Sequence, residues 1–297
     1  MSCAAAIDIG SNTTRLLVAE LDDGRLKAVL EQRAYTRIKA ASRDGKIGRE
    51  KVAEVAEVLA TQVRLAEELG VDRIDVVATA AIRDARNGVK VARRLGEAAG
   101  VDVTVLSERQ EGEYAFIGAT KTLGAPAEGT IAVVDVGGGS TEVVVGTVEG
   151  GVDWLRSVPV GSAELTEDFL TADPPAPSEL RDLREAIGKR FAGLDVPACD
   201  QAVAVGGSAT SLRKLVGGVL EYETLERSLR LLTGDPVDEV AVRFDLDPRR
   251  VRMLPAGALL LEHLSAEIGM PLVIGKGGLR EGIVLSALAP EPLSHAA

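Results

Sequence analysis

Aromatic residues make up only 3% of this 297-residue chain, which also has just two cysteines, two histidines and one tryptophan. Cys3 and Cys199 are too few for a disulfide framework or a cysteine-rich zinc cluster, and they suit small buried thiols in a reducing cytoplasm. His263, in an apolar helical stretch, and His295, in the tail, give little support to a Ser-His-Asp triad or a zinc hydrolase. No apolar run approaches the ~18 residues that span a bilayer. No Gly-x-x-x-x-Gly-Lys-Ser/Thr segment occurs, which excludes a P-loop. The opening, Met1 to Asp8, lacks a basic region and soon meets a carboxylate and a glycine, so it reads as a first strand rather than a signal peptide.

With few aromatics, Ala, Val, Leu and Ile must fill the core, as they do in α/β proteins. The apolar content of 46% supports a substantial core, and the length fits two domains at roughly 150 residues each. The formal net charge of −11 repels nucleic acid and anionic membranes, which excludes both as partners. A phosphate-rich substrate would then need local cations: a metal ion, backbone amides and a few placed arginines.

The most informative feature is a self-similarity at an offset of 127 residues. Ala4 to Asp8 reads as a buried strand, followed by a turn at Gly10-Ser11-Asn12-Thr13, a strand from Arg15 to Leu21, a hairpin at Asp22-Asp23-Gly24 and a strand from Leu26 to Leu30. Downstream, Ile131 to Asp135 leads into Gly137-Gly138-Gly139-Ser140-Thr141, then Glu142 to Gly146, a turn at Glu149 to Gly151, and Val152 to Leu155. Asp8 thus falls on Asp135 and Gly10 on Gly137. The repeat implies duplicated α/β domains facing each other. Helical spacing marks 51–69, 90–99 and 178–191, while Asp235-Pro236 and Asp247-Pro248 cap further helices. Short strands are read at Val76 to Ala78, Val103 to Leu106, Ala202 to Val205 and Leu272 to Ile274. Ser107 opens another helix, with Gln110 completing a capping box. The segment Leu123 to Gly129, which contains Ala125 and Pro126, is the best boundary. It divides the chain into domains 1–124 and 125–297, with the last helix, about 280–289, able to pack back on the first domain.

Both turns follow a strand that ends in Asp, and both are rich in Gly, Ser and Thr. Backbone amides converge on phosphate oxygens only where no Cβ intrudes, hence Gly10 and Gly137 to Gly139. Ser11, Thr13, Ser140 and Thr141 offer hydroxyl donors. Asp8 and Asp135 lie where Mg²⁺, which usually takes one or two carboxylates plus waters and substrate oxygens, would neutralise repulsion.

The two turns, Asp8 to Arg15 and Asp135 to Glu142, resemble the first and second phosphate motifs of the Ppx/GppA family. Ala78-Thr79-Ala80-Ala81-Ile82-Arg83-Asp84-Ala85-Arg86-Asn87 resembles its Ala-Thr-x-Ala-x-Arg-x-Ala-x-Asn segment, and Gly278-Leu279-Arg280-Glu281-Gly282 its C-terminal motif. These matches run in order from residue 4 to residue 285. The resemblance implies the fold of the actin, sugar kinase and Hsp70 superfamily: two ribonuclease-H-like domains around a cleft, here in the short form without a C-terminal helical domain. It also implies hydrolysis of polyphosphate ends, or of the 5′ phosphate of guanosine pentaphosphate, with Mg²⁺ or Mn²⁺, in a protein that is often a homodimer. It places the water-activating carboxylate at Glu111, although the family's Ser-Gly-x-Glu-Glu-Ala reads Ser107-Glu108-Arg109-Gln110-Glu111-Gly112 here.

Arg83 is then the candidate clamp on the phosphate being cleaved, since a guanidinium matches phosphate geometry. The phosphate contacts implied are Gly10, Ser11, Asn12, Thr13, Arg15, Gly137, Gly138, Gly139, Ser140 and Thr141. The metal set is Asp8, Asp135 and Glu142, the last acting through metal-bound water. Gly206, Gly207 and Ser208 repeat the strand-turn-helix pattern and line the cleft, where the superfamily holds a nucleotide. Two other readings compete: an ATP-dependent sugar or acetate kinase, and a non-catalytic regulator that binds alarmones. The order Arg83, Glu111, Asp135 favours water as the acceptor, while the altered stretch from Glu108 to Gly112 keeps the regulator open.

Overall fold

The structure is a computed structural model that describes residues 2–39, 41–124 and 127–289. Ala125, Pro126 and His295, named above, lie outside them. The chain forms two compact units: one holds the chain up to Ser107 together with the segment from Leu279 onward, and the other is Glu108–Gly278.

In the first unit, β1 (Cys3–Ile9), β2 (Thr13–Asp22) and β3 (Arg25–Tyr35) form an antiparallel ribbon. A small hairpin, β4 (Ser42–Arg43) and β5 (Lys46–Ile47), precedes α1 (Arg49–Glu68). Then come β6 (Arg73–Ala78), the single turn α2 (Ala80–Arg83), α3 (Gly88–Ala99) and β7 (Val103–Val105). The sheet runs β3-β2-β1-β6-β7, with β1, β6 and β7 parallel. Ala4, Ala5, Ala6 and Ile7 are all fully buried, so β1 is covered on both faces and reads as an unbroken apolar run instead of an alternating one. Val52, Val55, Leu59, Val63 and Ala66 of α1 pack with Ala5, Ile7, Ile9 and Val18.

The second unit opens with α4 (Glu108–Lys121) and repeats the ribbon as β8 (Ile131–Val136), β9 (Thr141–Thr147) and β10 (Gly151–Val158). It continues through α5 (Ser162–Phe169), α6 (Pro177–Arg190), β11 (Gln201–Val205), α7 (Gly206–Val216), β12 (Val219–Leu220), α8 (Tyr222–Thr233), α9 (Val237–Phe244), α10 (Pro248–Ile268) and β13 (Leu272–Ile274). Its sheet runs β10-β9-β8-β11-β13-β12. Ala132, Val134 and Val136 enter one large core cluster, while Ile131 and Val133 meet Phe116 and Ala119 of α4 on the other face. The last helix, α11 (Leu279–Leu288), packs on β1, β2 and β6 of the first unit.

The architecture is therefore α/β, with the same core sheet built twice. A boundary at 124/125 leaves α4 in the first half, whereas α4 packs on β8, β9, β10 and β11, which moves the division to Ser107/Glu108. Asp247 caps α10 as its spacing predicts, accepting from the Arg249 amide at 2.8 Å. Helices α5 and α8 lie where the sequence reading assigns no element. No helix among the described residues is long and apolar enough to cross a membrane.

Candidate active site

The two Asp-ended strands fold into matching turns. In the first unit the Gly10 amide donates to Thr13 O at 3.0 Å, and in the second the Gly137 amide donates to Ser140 O at 3.0 Å. The outer side of each turn is clamped. Ser11 O accepts from the Lys39 amide, and Asn12 O from the amides of Thr36 and Arg37. Gly137 O accepts from the Ser162 amide, and Gly138 O from those of Ala163 and Glu164 at the start of α5. In a trans peptide the N–H points opposite to the C=O. The amides of Asn12 and Thr13, and those of Gly138 and Gly139, are therefore turned away from the clamps, which is the geometry of an anion-binding concavity. A Cβ on Gly161 would lie 2.4 Å from Gly138 C and Gly139 N, so only glycine lets this clamp close.

The ladders set the charge beside each turn. Asp8 stands opposite Arg15, and Asp135 stands opposite Glu142 at the equivalent position. The Arg15 guanidinium also donates from Nε to Thr13 Oγ1 at 3.2 Å. Burial raises the Asp8 pKa, with Arg15 and Arg280 opposing the shift and Glu281 adding to it. Asp8 Oδ1 is buried and has no hydrogen-bond partner. Arg280 is 13% exposed and donates from Nη1 to Leu16 O at 3.3 Å. It is a largely covered cation beside Asp8, inside the quoted C-terminal motif, that the sequence assigns to no site.

Arg83 is held by a compact turn. The amides of Ile82 and Arg83 both bond to Thr79 O, and a Cβ on Gly88 would fall 1.9 Å from Ile82 O. The Arg83 side chain is 15% exposed, its Nη1 donates to Leu106 O at 3.3 Å, and its Nε lies 3.5 Å from Asp84 Oδ1. Asn87, from the same motif, bonds both the amide and the carbonyl of Ile47, tying β5 to the turn.

In the second unit Glu111, on the first turn of α4, is buried, and Glu142 is only 3% exposed. The Glu142 pKa rises well above the ordinary 4.5, chiefly by burial and then by repulsion from Glu111 and Asp135, while hydrogen bonds from Ser140 and Ser157 oppose the rise. Gly206, at φ +84°, closes the far side of Asp135: a Cβ there would sit 2.3 Å from Asp135 Oδ1. Gly206 and its neighbours Gly207 and Ser208 open α7, and Ser208 Oγ is buried without a partner, against Gly257. Thr141 differs from its reading as a phosphate contact. It is fully buried and its hydroxyl donates inward to Val160 O at 2.7 Å, so it anchors the turn. The altered positions Glu108 and Gln110 are exposed on α4, whereas a Cβ on Gly112 would lie 2.1 Å from Leu155 Cδ1, which occupies the space an alanine would need.

Among the described residues no three His, Cys, Asp or Glu side chains converge to hold a metal ion by themselves. The donors present are nonetheless carboxylate oxygens, the kind a hard cation prefers, and Mg²⁺ usually keeps several waters and substrate oxygens. The unpartnered Asp8 Oδ1 and the mutual repulsion at Glu142 both fit such a cation. A carboxyl that holds its proton more tightly folded than unfolded adds stability in full below its unfolded value near 4.5. That stability is lost as pH climbs toward the raised folded value. Glu142→Gln is therefore expected to gain stability relative to the native chain as pH rises above the ordinary 4.5 without divalent ions, and to lose the advantage with Mg²⁺. Paired thermal melts with and without the ion check both halves.

Comparison with known proteins agrees with the family resemblance and with the α/β fold. Exopolyphosphatase 2 of Mycobacterium tuberculosis is 29% identical, with 95% of this chain and 97% of that protein aligned. Exopolyphosphatase 1 of Mycobacterium bovis is 28% identical over 96% of this chain and 88% of its own length. The crystal structure of an Aquifex aeolicus Ppx/GppA family member superposes with a TM-score of 0.81 at 31% identity, covering 97% of both chains. The model of the Ppx/GppA phosphatase family matches residues 17–291, and the chain belongs to that family.

Proposed function

We propose that this chain is an exopolyphosphatase that hydrolyses the terminal phosphoanhydride of inorganic polyphosphate and releases orthophosphate. The observation that carries the reading is the second unit's arrangement. Three carboxylates, Glu111, Asp135 and Glu142, interact beside a turn whose amides face away from their clamp. Phosphoryl transfer to water requires positioning, charge neutralisation and an oriented water. Glu111 orients the water and accepts its proton. The amides of Gly138 and Gly139 hold phosphate oxygens, as those of Asn12 and Thr13 do in the first unit. Arg83 draws charge from the phosphate being cleaved; an arginine in that role is worth roughly 10³–10⁵ in rate. Asp135 would hold Mg²⁺ or Mn²⁺, with Glu142 reaching the ion through water, and Asp8 would have the same task as Asp135 in the first unit. When bound, the ion supplies charge neutralisation and polarisation of phosphate oxygens.

The free thiols Cys3 and Cys199 suit a cytoplasmic setting, and light scattering tests for the homodimer common in the family. Phosphate release from polyphosphate, guanosine pentaphosphate and ATP, each with Mg²⁺ and with a chelator, tests the function. Release from polyphosphate that the chelator abolishes is expected. Preferential release from guanosine pentaphosphate reassigns the substrate, and no release from any of the three supports the regulator instead.

A further inference from the structure

Ser157 belongs to none of the motifs above, yet its hydroxyl reaches the buried Glu142 carboxylate. It lies near the end of the edge strand β10 and pairs in register with Glu142 on β9. Its hydroxyl donates to Glu142 Oε1 at 3.0 Å. Glu142 is buried and repelled by Glu111 and Asp135, and it also accepts from Ser140 in the turn. An ionised carboxylate only accepts hydrogen bonds, so two hydroxyl donors define where its remaining lone pairs point.

Nothing in the duplicated scaffold requires a serine at this position. The first unit pairs Arg15, the counterpart of Glu142, with Arg33 on β3. Serine is also no favoured strand residue, and a β-branched side chain would suit the ladder better. What Ser157 offers there is its hydroxyl.

We infer that Ser157 is a positioning residue for the hydrolysis proposed above, an inference that rests on that reading. It holds Glu142 in the orientation from which the carboxylate acts. The phosphate chain itself is bound by other groups, so loss of the hydroxyl affects kcat and leaves KM for polyphosphate nearly unchanged.

Threonine and valine at this position have nearly the same shape and differ in the hydroxyl. Ser157→Val is expected to lower kcat roughly 10- to 100-fold, in line with loss of a hydrogen bond to a charged group, with KM within about twofold. Ser157→Thr should recover most of that loss. The smaller Ser157→Ala, which leaves the strand uncrowded, should lose kcat by the same roughly 10- to 100-fold and carries the test if Ser157→Val unfolds. Equal kcat in Thr and in the hydroxyl-free variants overturns the inference while leaving the exopolyphosphatase reading intact. Absence of phosphate release by the native chain with Mg²⁺ overturns both.

Discussion

Glu111→Gln is expected to leave polyphosphate binding largely intact while reducing turnover by at least ~10². The substitution keeps size and hydrogen bonding but removes the atom that takes a proton from water. Glu111 stands on the first turn of α4, where the helix dipole favours an anion. It is nonetheless buried and close enough to Glu142 to disturb its ionisation, which an ordinary capping glutamate on a surface would not do. Single-turnover phosphate release set against polyphosphate binding separates the two effects. Near-native turnover in the variant would remove Glu111 from the mechanism.

A comparably large loss is expected from Gly206→Ala. The new methyl would lie 2.3 Å from Asp135 Oδ1 and 3.2 Å from Val136 O, on a backbone at φ +84° that alanine resists. Asp135 must swing aside or the start of α7 must shift. Strain of this kind costs about 1–3 kcal/mol of stability. Activity should fall by ~10² or more, with a higher Mg²⁺ requirement, because the displaced group is a carboxylate proposed to hold the ion. Gly188, on α6 with nothing near its would-be Cβ, is the control. Alanine there should add about 0.5–1 kcal/mol and leave activity alone. An unchanged Mg²⁺ titration for Gly206→Ala would show that Asp135 does not hold the ion.

Much of this arrangement is legible in the sequence because the duplication preserves spacing. Asp8 and Asp135, Gly10 and Gly137, and the two hairpins fall at one offset, and their ladders and turn hydrogen bonds coincide. Resemblance adds Arg83 and Glu111, and the structure gives both side chains buried surroundings. What spacing leaves hidden depends on pairing between distant segments. Gly206 reaches Asp135 only because β11 runs parallel to β8 with Val205 beside Asp135. Ser157 reaches Glu142 only through the register of a strand pair that contains a bulge between Val152 and Trp154. Thr141 reads as another hydroxyl in a phosphate turn, and its inward bond to Val160 depends on which face of β9 it occupies. Helix α8 is the exception: Leu225, Leu229 and Leu232 fall at helical spacing behind a capping box at Glu221, a local signal that is present in the sequence but unread above.

The path of the chain has a consequence for synthesis. The second unit is one continuous stretch, Glu108–Gly278, whereas the first is assembled from both ends of the sequence. During translation the second sheet can gather all its strands before the first has its final cover. The strand that carries Asp8 waits for α11, and with it Arg280, until Leu279–Leu288 has left the ribosome, after the whole of the second unit. An interrupted chain would thus hold a finished carboxylate cluster in one half and an open-faced sheet in the other.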